Sequence, residues 1–251
     1  MIIIVLGPAG SGKSTLVGTY ARWLESELDA SVYKVNMDPA AEYVPYKPDY
    51  DIREIIDAHA IARDLGLGPN GALVKAMELL SDRMDEPVRA ISAASADYIL
   101  IDTPGQMEVF LFRDIGNKLV GMLQGLQRSL SGIFVLDATL MVESSDYAFQ
   151  VLMFLAAQLR LNLNLAPVIN KSDLIPSLRL TGDIHEDFPA VARGLKEHGS
   201  IYSEMLYDIL RRILFYARRI RVPVVSALRG SGFEELHRLV FELQCTCGDL
   251  T

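Results

Sequence analysis

Gly7-Pro8-Ala9-Gly10-Ser11-Gly12-Lys13-Ser14 follows the spacing G-x-x-x-x-G-K-[ST] without a gap. In such a segment the glycines let backbone N–H groups turn inward around phosphate oxygens. The start of a helix adds partial positive charge, Lys13 reaches the outer phosphates, and Ser14 can ligate Mg2+. A tight strand-to-helix turn would share the glycines but has no need of the Lys-Ser pair.

Three further strings carry chemistry. Asp102-Thr103-Pro104-Gly105-Gln106 ends an apolar run; a carboxylate there can hold Mg2+ through water, and Gly105 lets a backbone N–H approach a γ-phosphate. Asn170-Lys171-Ser172-Asp173 is an N-K-x-D string. A carboxylate at Asp173 can accept from the N1–H and 2-amino group of guanine, and adenine offers no such donor pair. An unpaired buried polar group costs on the order of 1–3 kcal/mol, so the string should favour GTP over ATP. Lys171 would lay its stem against the base. Ser226-Ala227-Leu228 offers backbone N–H groups that can back up the guanine oxygen. Asp38 and Asp137 also end predicted strands; Asp38 would project at the carboxyl end of the sheet, and for Asp137 a site role and a capping role stay open.

The elements that must position these residues follow from periodicity. Ile2 to Leu6 reads as a short buried strand delivering the chain to the glycine loop. Leu16, Val17, Tyr20, Trp23 and Leu24 recur at helical spacing, and Val32 to Asn36 reads as a second strand, completing a right-handed βαβ unit. The irregular stretch 39–70 is a candidate switch or partner surface, and Gly68-Pro69-Asn70-Gly71 within it reads as a plain turn. A helix is predicted over Ala72 to Met84, strands over Tyr98 to Ile101, Gly132 to Asp137, Leu165 to Ile169 and Val222 to Val225, and helices over Ala148 to Leu161 and Gly232 to Leu243. Residues 176–200 are mixed and polar and read as an insertion or irregular helix. Tyr202, Met205, Leu206, Ile209, Leu210, Ile213 and Leu214 make a stripe suited to core or to a subunit interface.

The 251 residues are 50% hydrophobic, ample for a buried core, with a formal charge of −8. That balance argues against a surface that coats nucleic acid directly, and Arg211-Arg212 and Arg218-Arg219 read as solvated helix faces. The two cysteines, Cys245 and Cys247, are too few for a disulfide framework and suit a reducing compartment. No apolar stretch approaches a membrane span, and the first apolar run ends at the glycine loop instead of a cleavage site. The expectation is a cytoplasmic protein with no membrane contact, one domain over residues 1–251, with insertions around 39–95 and 176–220.

With Gly68-Pro69-Asn70 between the first two motifs, and Asp38-Pro39-Ala40 after the second strand, the chain closely resembles the GPN-loop GTPases over nearly its full length. It looks like an archaeal-type, homodimeric member, lacking the acidic tail of longer eukaryotic relatives. The resemblance implies an α/β, three-layer P-loop fold of the SIMIBI class, with a mainly parallel sheet and helices on both faces. It implies GTP hydrolysed to GDP with Mg2+ by a dimeric switch, in which the loop of one subunit brings Asn70 in trans to the other subunit's nucleotide. It also implies a role in assembling a multi-subunit complex, RNA polymerase being the usual association.

On that pattern the nucleotide is held by Gly7, Pro8, Ala9, Gly10, Ser11, Gly12, Lys13, Ser14, Thr15, Gly105, Asn170, Lys171, Asp173, Ser226, Ala227 and Leu228. Mg2+ falls to Ser14 directly and to Asp38 and Asp102 through water. Lys13, Asp38, Gln106 and Asn70 carry hydrolysis, Gln106 by orienting water. No arginine finger is assigned, and Arg53 and Arg113 read as surface salt-bridge residues. A kinase on the same fold is opposed by Asn170 to Asp173. A metallochaperone GTPase should show a His or Cys cluster, whereas His59, His185, His198 and His237 are scattered.

Overall fold

Alternation within β1 (Ile2–Leu6) sets the layers: every residue is buried, Ile2, Ile4 and Leu6 on one face and Ile3 and Val5 on the other. A strand covered on both faces reads as a continuous apolar run, as in parallel sheets flanked by helices. The structure, a computed structural model, describes residues 1–175, 183–216 and 221–244, apart from the side chains of Phe112 and Tyr216. Cys245, Cys247 and Arg218-Arg219 lie outside the described residues, as do 176–182 and 217–220 of the predicted second insertion.

The strands are β1, β2 (Val32–Asn36), β3 (Tyr50–Asp51), β4 (Tyr98–Asp102), β5 (Leu130–Asp137) and β6 (Leu165–Asn170). They form one six-stranded sheet in the order β3-β2-β4-β1-β5-β6, every pair parallel. The helices are α1 (Lys13–Leu28), α2 (Ala58–Leu65), α3 (Pro69–Asp82), α4 (Asp85–Ala93), α5 (Met107–Phe112), α6 (Ile115–Gln124), α7 (Ser144–Leu161), α8 (Ile184–His198), α9 (Ile201–Tyr216) and α10 (Phe233–Glu242). Leu16, Val17, Tyr20 and Leu24 of α1 and Phe233, Leu236 and Val240 of α10 cover one face of the sheet. Residues from α3, α4, α6, α7 and α8 cover the other. The result is the predicted three-layer α/β sandwich, with β1 between β4 and β5 and the carboxyl ends of all strands at one edge.

Several elements differ from their sequence reading. Gly68-Pro69-Asn70-Gly71 is a helix start instead of a plain turn: Gly68 is the N-cap of α3 in extended conformation and Pro69 is its first residue. Proline suits that position because its fixed φ is already helical and its missing N–H would have had no partner. The predicted strand at Val222 to Val225 shrinks to a single parallel bridge, Val224 to Ile169, with Val225 N–H donating to Ile169 O at 2.7 Å. Pro223 has no N–H with which to extend the ladder. The stretch read as an insertion or irregular helix holds a regular helix, α8, with Pro189 inside its first two turns. The stripe on α9 divides: Leu210 is buried, Leu206, Ile213 and Leu214 are partly buried, and Tyr202, Met205 and Ile209 are exposed. Among the described residues, no helix is long and apolar enough to cross a membrane.

Candidate functional site

Parallel strands bring three of the motifs and Asp38 to one edge. β1 runs into the glycine loop, β2 into Asp38, β4 into Asp102 to Gln106 and β6 into Asn170 to Asp173. Gly7, Gly10 and Gly12 have φ of +149°, +76° and +91°, which side chains rarely adopt. At Gly12 a Cβ would also lie 2.5 Å from Asn170 Nδ2, and at Gly7 one would lie 2.6 Å from Val135 O. The loop therefore closes directly onto Asn170 at the end of β6 and onto Val135 of β5.

Lys13 opens α1, almost fully buried, and its Nζ donates to Gly7 O at 2.9 Å and Pro8 O at 3.0 Å. Burial lowers its pKa, against the raising influence of Asp102, Asp38 and Glu108. Ser14 and Thr15 follow on α1. Asp102 is 1% exposed; Tyr46 Oη donates to its Oδ2 at 3.0 Å while its Oδ1 has no hydrogen-bond partner. Burial raises its pKa to about 6, opposed by Ser14, Lys13 and Tyr46. A buried carboxylate oxygen without a partner, next to the Ser14 hydroxyl, makes an oxygen donor set that suits a hard divalent cation such as Mg2+. Asp38 Oδ1 accepts from Ala40 N–H at 2.9 Å and Oδ2 from Gly105 N–H at 3.0 Å, so the two motifs touch. Gln106 is exposed at the mouth, and its Nε2 donates to Asn70 Oδ1 of the same chain at 3.4 Å.

The half of the site around Asn170 to Asp173 is more tightly knit. Asn170 Nδ2 donates to Ser11 O at 2.9 Å and its Oδ1 accepts from Ala227 N–H at 2.9 Å, tying loop, string and Ser226-Ala227-Leu228 together. Of those three, Ser226 Oγ donates to Asp173 Oδ1 at 2.5 Å, and Leu228 is exposed. Lys171, at a positive φ of 66°, is paired with Asp137 Oδ2 at 2.6 Å. Asp137 also accepts from Thr139 N–H and Oγ1, which gives the capping role left open for it a structural basis. Sequence reading missed Tyr46, whose only signal was an aromatic residue in an irregular stretch, and Asn36, read merely as a strand end. Arg53, read as a surface salt-bridge residue, is partly buried against Asp51 at 2.6 Å, whereas Arg113 is exposed with a loose 3.7 Å contact to Glu78, as read.

Replacing Gly12 with alanine should lower nucleotide affinity about tenfold or more, since the strained φ and the clash with Asn170 disturb loop and base site together. Isothermal titration with GDP checks this. Affinity within about twofold of the parent would show that the loop tolerates the Cβ.

A glycine loop between β1 and α1, a carboxylate at the end of the adjacent strand and an N-K-x-D string beside them define a P-loop nucleotide hydrolase with a guanine-type base site. A family model described as "Conserved hypothetical ATP binding protein" matches residues 5–246. The chain is 36% identical to the GPN-loop GTPase PAB0955 of Pyrococcus abyssi, with 100% of both chains covered. It is 36% identical to GPN-loop GTPase 3 of Dictyostelium discoideum over 68% of this chain and 60% of that one. The crystal structure of the Pyrococcus abyssi GTPase in apo form superimposes with a TM-score of 0.85 at 33% identity, 98% of each chain covered. The chain belongs to the GPN-loop GTPase family and is a GTP-binding GTPase; the family model's description names ATP, but the curated relatives named here are called GTPases.

Proposed function

We propose that this GTPase works as a Mg2+-dependent homodimer, within one domain spanning residues 1–251, and that Asn70 of each subunit completes the other's site. The observation carrying this reading is the position of Asn70 at the rim of its own pocket, against Gln106. A two-fold axis passing near that rim would carry the exposed tripeptide Gly68 to Asn70 across to the facing nucleotide with little movement of α3.

Within each pocket, loop N–H groups and Lys13 bind the β- and γ-phosphates, and Asp173, Asn170, Lys171 and Ser226 to Leu228 bind the base. Thr15 and Gly105 line the phosphate side. Ser14 would hold Mg2+, with Asp38 and Asp102 holding its waters. The ion, when bound, neutralises charge developing on the phosphate oxygens. Gln106 orients the attacking water, and Asn70 in trans supplies a polar group near the γ-phosphate. The role that the family likeness brings with it is assembly of a multi-subunit complex such as RNA polymerase, in the cytoplasm.

Replacing Asn70 with alanine should slow GTP turnover about tenfold in protein confirmed as a dimer by light scattering, with GDP affinity unchanged. Unchanged turnover in that dimer would remove Asn70 from the site. Affinity capture with the Gln106→Leu variant loaded with GTP tests the assembly role; recovery of no polymerase subunit would count against it.

A further inference from the structure

Asn36, at the carboxyl end of β2, is fully buried. Its amide is read on both sides: Nδ2 donates to Asp51 Oδ1 at 2.9 Å and more weakly to Asp38 O at 3.5 Å, and Oδ1 accepts from Asp38 N–H at 3.1 Å. A flipped amide would set its oxygen against the Asp51 carboxylate, so only one orientation satisfies the network. Asp51 is gripped in turn by Arg53, whose Nε lies 3.0 and 3.1 Å from the two carboxylate oxygens and whose NH2 donates to Oδ2 at 2.6 Å. The second guanidinium nitrogen reaches elsewhere, donating to Ala41 O at 2.9 Å. Partial burial works against the Asp51 carboxylate, and the bonds from Arg53 and Asn36 outweigh it, holding the group below its ordinary pKa.

Arg53 thus clasps both ends of the turn 38–41, the near end through Asp51 and Asn36 and the far end through Ala41 O. What lies between is the Asp38 carboxylate, bonded to Ala40 N–H and Gly105 N–H. On the reading of Gly105 as a γ-phosphate donor, the two anions call on the same group, and one N–H cannot serve two anions linearly. A bound triphosphate therefore competes with Asp38 for Gly105, and where the displaced carboxylate settles depends on what else holds the turn.

We propose that Arg53, acting through Asp51 and Asn36, is a positioning residue that keeps Asp38 aimed at the reacting phosphate after Gly105 is given up, and that it acts on hydrolysis and not on nucleotide affinity. This rests on the reading of Asp38 as a site residue. The arrangement differs from an arginine finger, because these guanidinium bonds go to the chain's own Asp51 carboxylate and Ala41 carbonyl.

The test uses the full chain with Arg53→Ala, Arg53→Lys and Asp51→Asn, measuring single-turnover GTP hydrolysis and GTP and GDP affinity separately, with Asp38→Asn in parallel. Arg53→Ala and Asp51→Asn should slow hydrolysis about tenfold or more while affinities stay within about threefold, as misplacement of a catalytic group predicts. Added guanidinium should restore rate to Arg53→Ala, whose site is reachable since the Arg53 side chain is 29% exposed, and should not help Asp51→Asn. Should Arg53→Ala fail to fold, Arg53→Lys keeps the charge without the fork and should still lose rate. Hydrolysis unaffected in the Arg53 variants while Asp38→Asn abolishes it would overturn this inference alone. Hydrolysis unaffected in Asp38→Asn would overturn the reading beneath it. Parallel losses of rate and affinity without guanidinium rescue would mark Arg53 as merely structural.

Discussion

Replacing Asp173 with asparagine should weaken GTP binding about 100-fold or more and open the site to xanthosine triphosphate. The carboxylate can accept from both guanine donors, N1–H and the 2-amino group; an asparagine can accept from one and points its own NH2 at the other. Donor facing donor forfeits a charge-assisted bond and leaves two polar groups unpaired as the base is buried. Xanthine carries a carbonyl where guanine has its amine, so the same NH2 finds an acceptor. The fold should survive, because the Ser226 hydroxyl that donates to Asp173 Oδ1 at 2.5 Å can donate equally to an amide oxygen. Dissociation constants for GTP, XTP and ATP decide the matter: GTP affinity within about threefold of the parent would mean that Asp173 does not read the base. Since Asn170 binds both the glycine loop and Ala227, substitution at Asp173 separates base reading from loop support in a way substitution at Asn170 cannot.

The contrast between these neighbours shows what a linear sequence discloses. The motifs are legible because each is a short string whose spacing is fixed by local backbone geometry: φ-positive glycines around phosphate, and a carboxylate at the end of a buried strand. The parallel sheet is legible too, since β1, β4 and β6 are continuous apolar runs. Bonds made across long sequence separations leave no such trace. Tyr46 meets Asp102 from a stretch with no periodicity at all, and Asn36 meets Asp51 only because the two-residue β3 pairs with the end of β2. A strand that short carries no alternation to detect. The helix start at Gly68 was hidden for a different reason, since glycine and proline announce a turn and a helix N-terminus with the same letters. Arg53 does form the salt bridge that its sequence reading expected, with Asp51 two residues away, but the fork, the buried amide and the carbonyl of Ala41 appear only when the turn is folded.

Asp102→Asn should make the protein more stable and nearly inactive. Asp102 is buried with one oxygen unpartnered, and burial lifts its pKa from 3.8 to about 6 despite Ser14, Lys13 and Tyr46, with Asp38 adding to the rise. A carboxyl that titrates higher in the folded chain than in the unfolded one binds more protons when folded across that window. Stability is then greatest below the unfolded value and falls as pH rises through the folded one, so at neutral pH the ionised group costs about 3 kcal/mol. Asparagine fills the same space without charge. Part of the gain is returned at Lys13, which loses a counter-charge that had opposed the lowering of its own pKa by burial. A net gain of about 1–2 kcal/mol remains, read as a higher midpoint in urea at neutral pH, in chelator and without nucleotide. The fall in stability between about pH 4 and 6 should flatten in the variant, because the group responsible no longer titrates. Mg2+-dependent hydrolysis should meanwhile drop about 100-fold, since the only unpartnered buried carboxylate oxygen among the described residues is gone. A variant less stable than the parent at neutral pH would mean that Asp102 is held by the fold and not merely tolerated. Stability gained with hydrolysis intact would mean that the carboxylate serves neither the ion nor its waters.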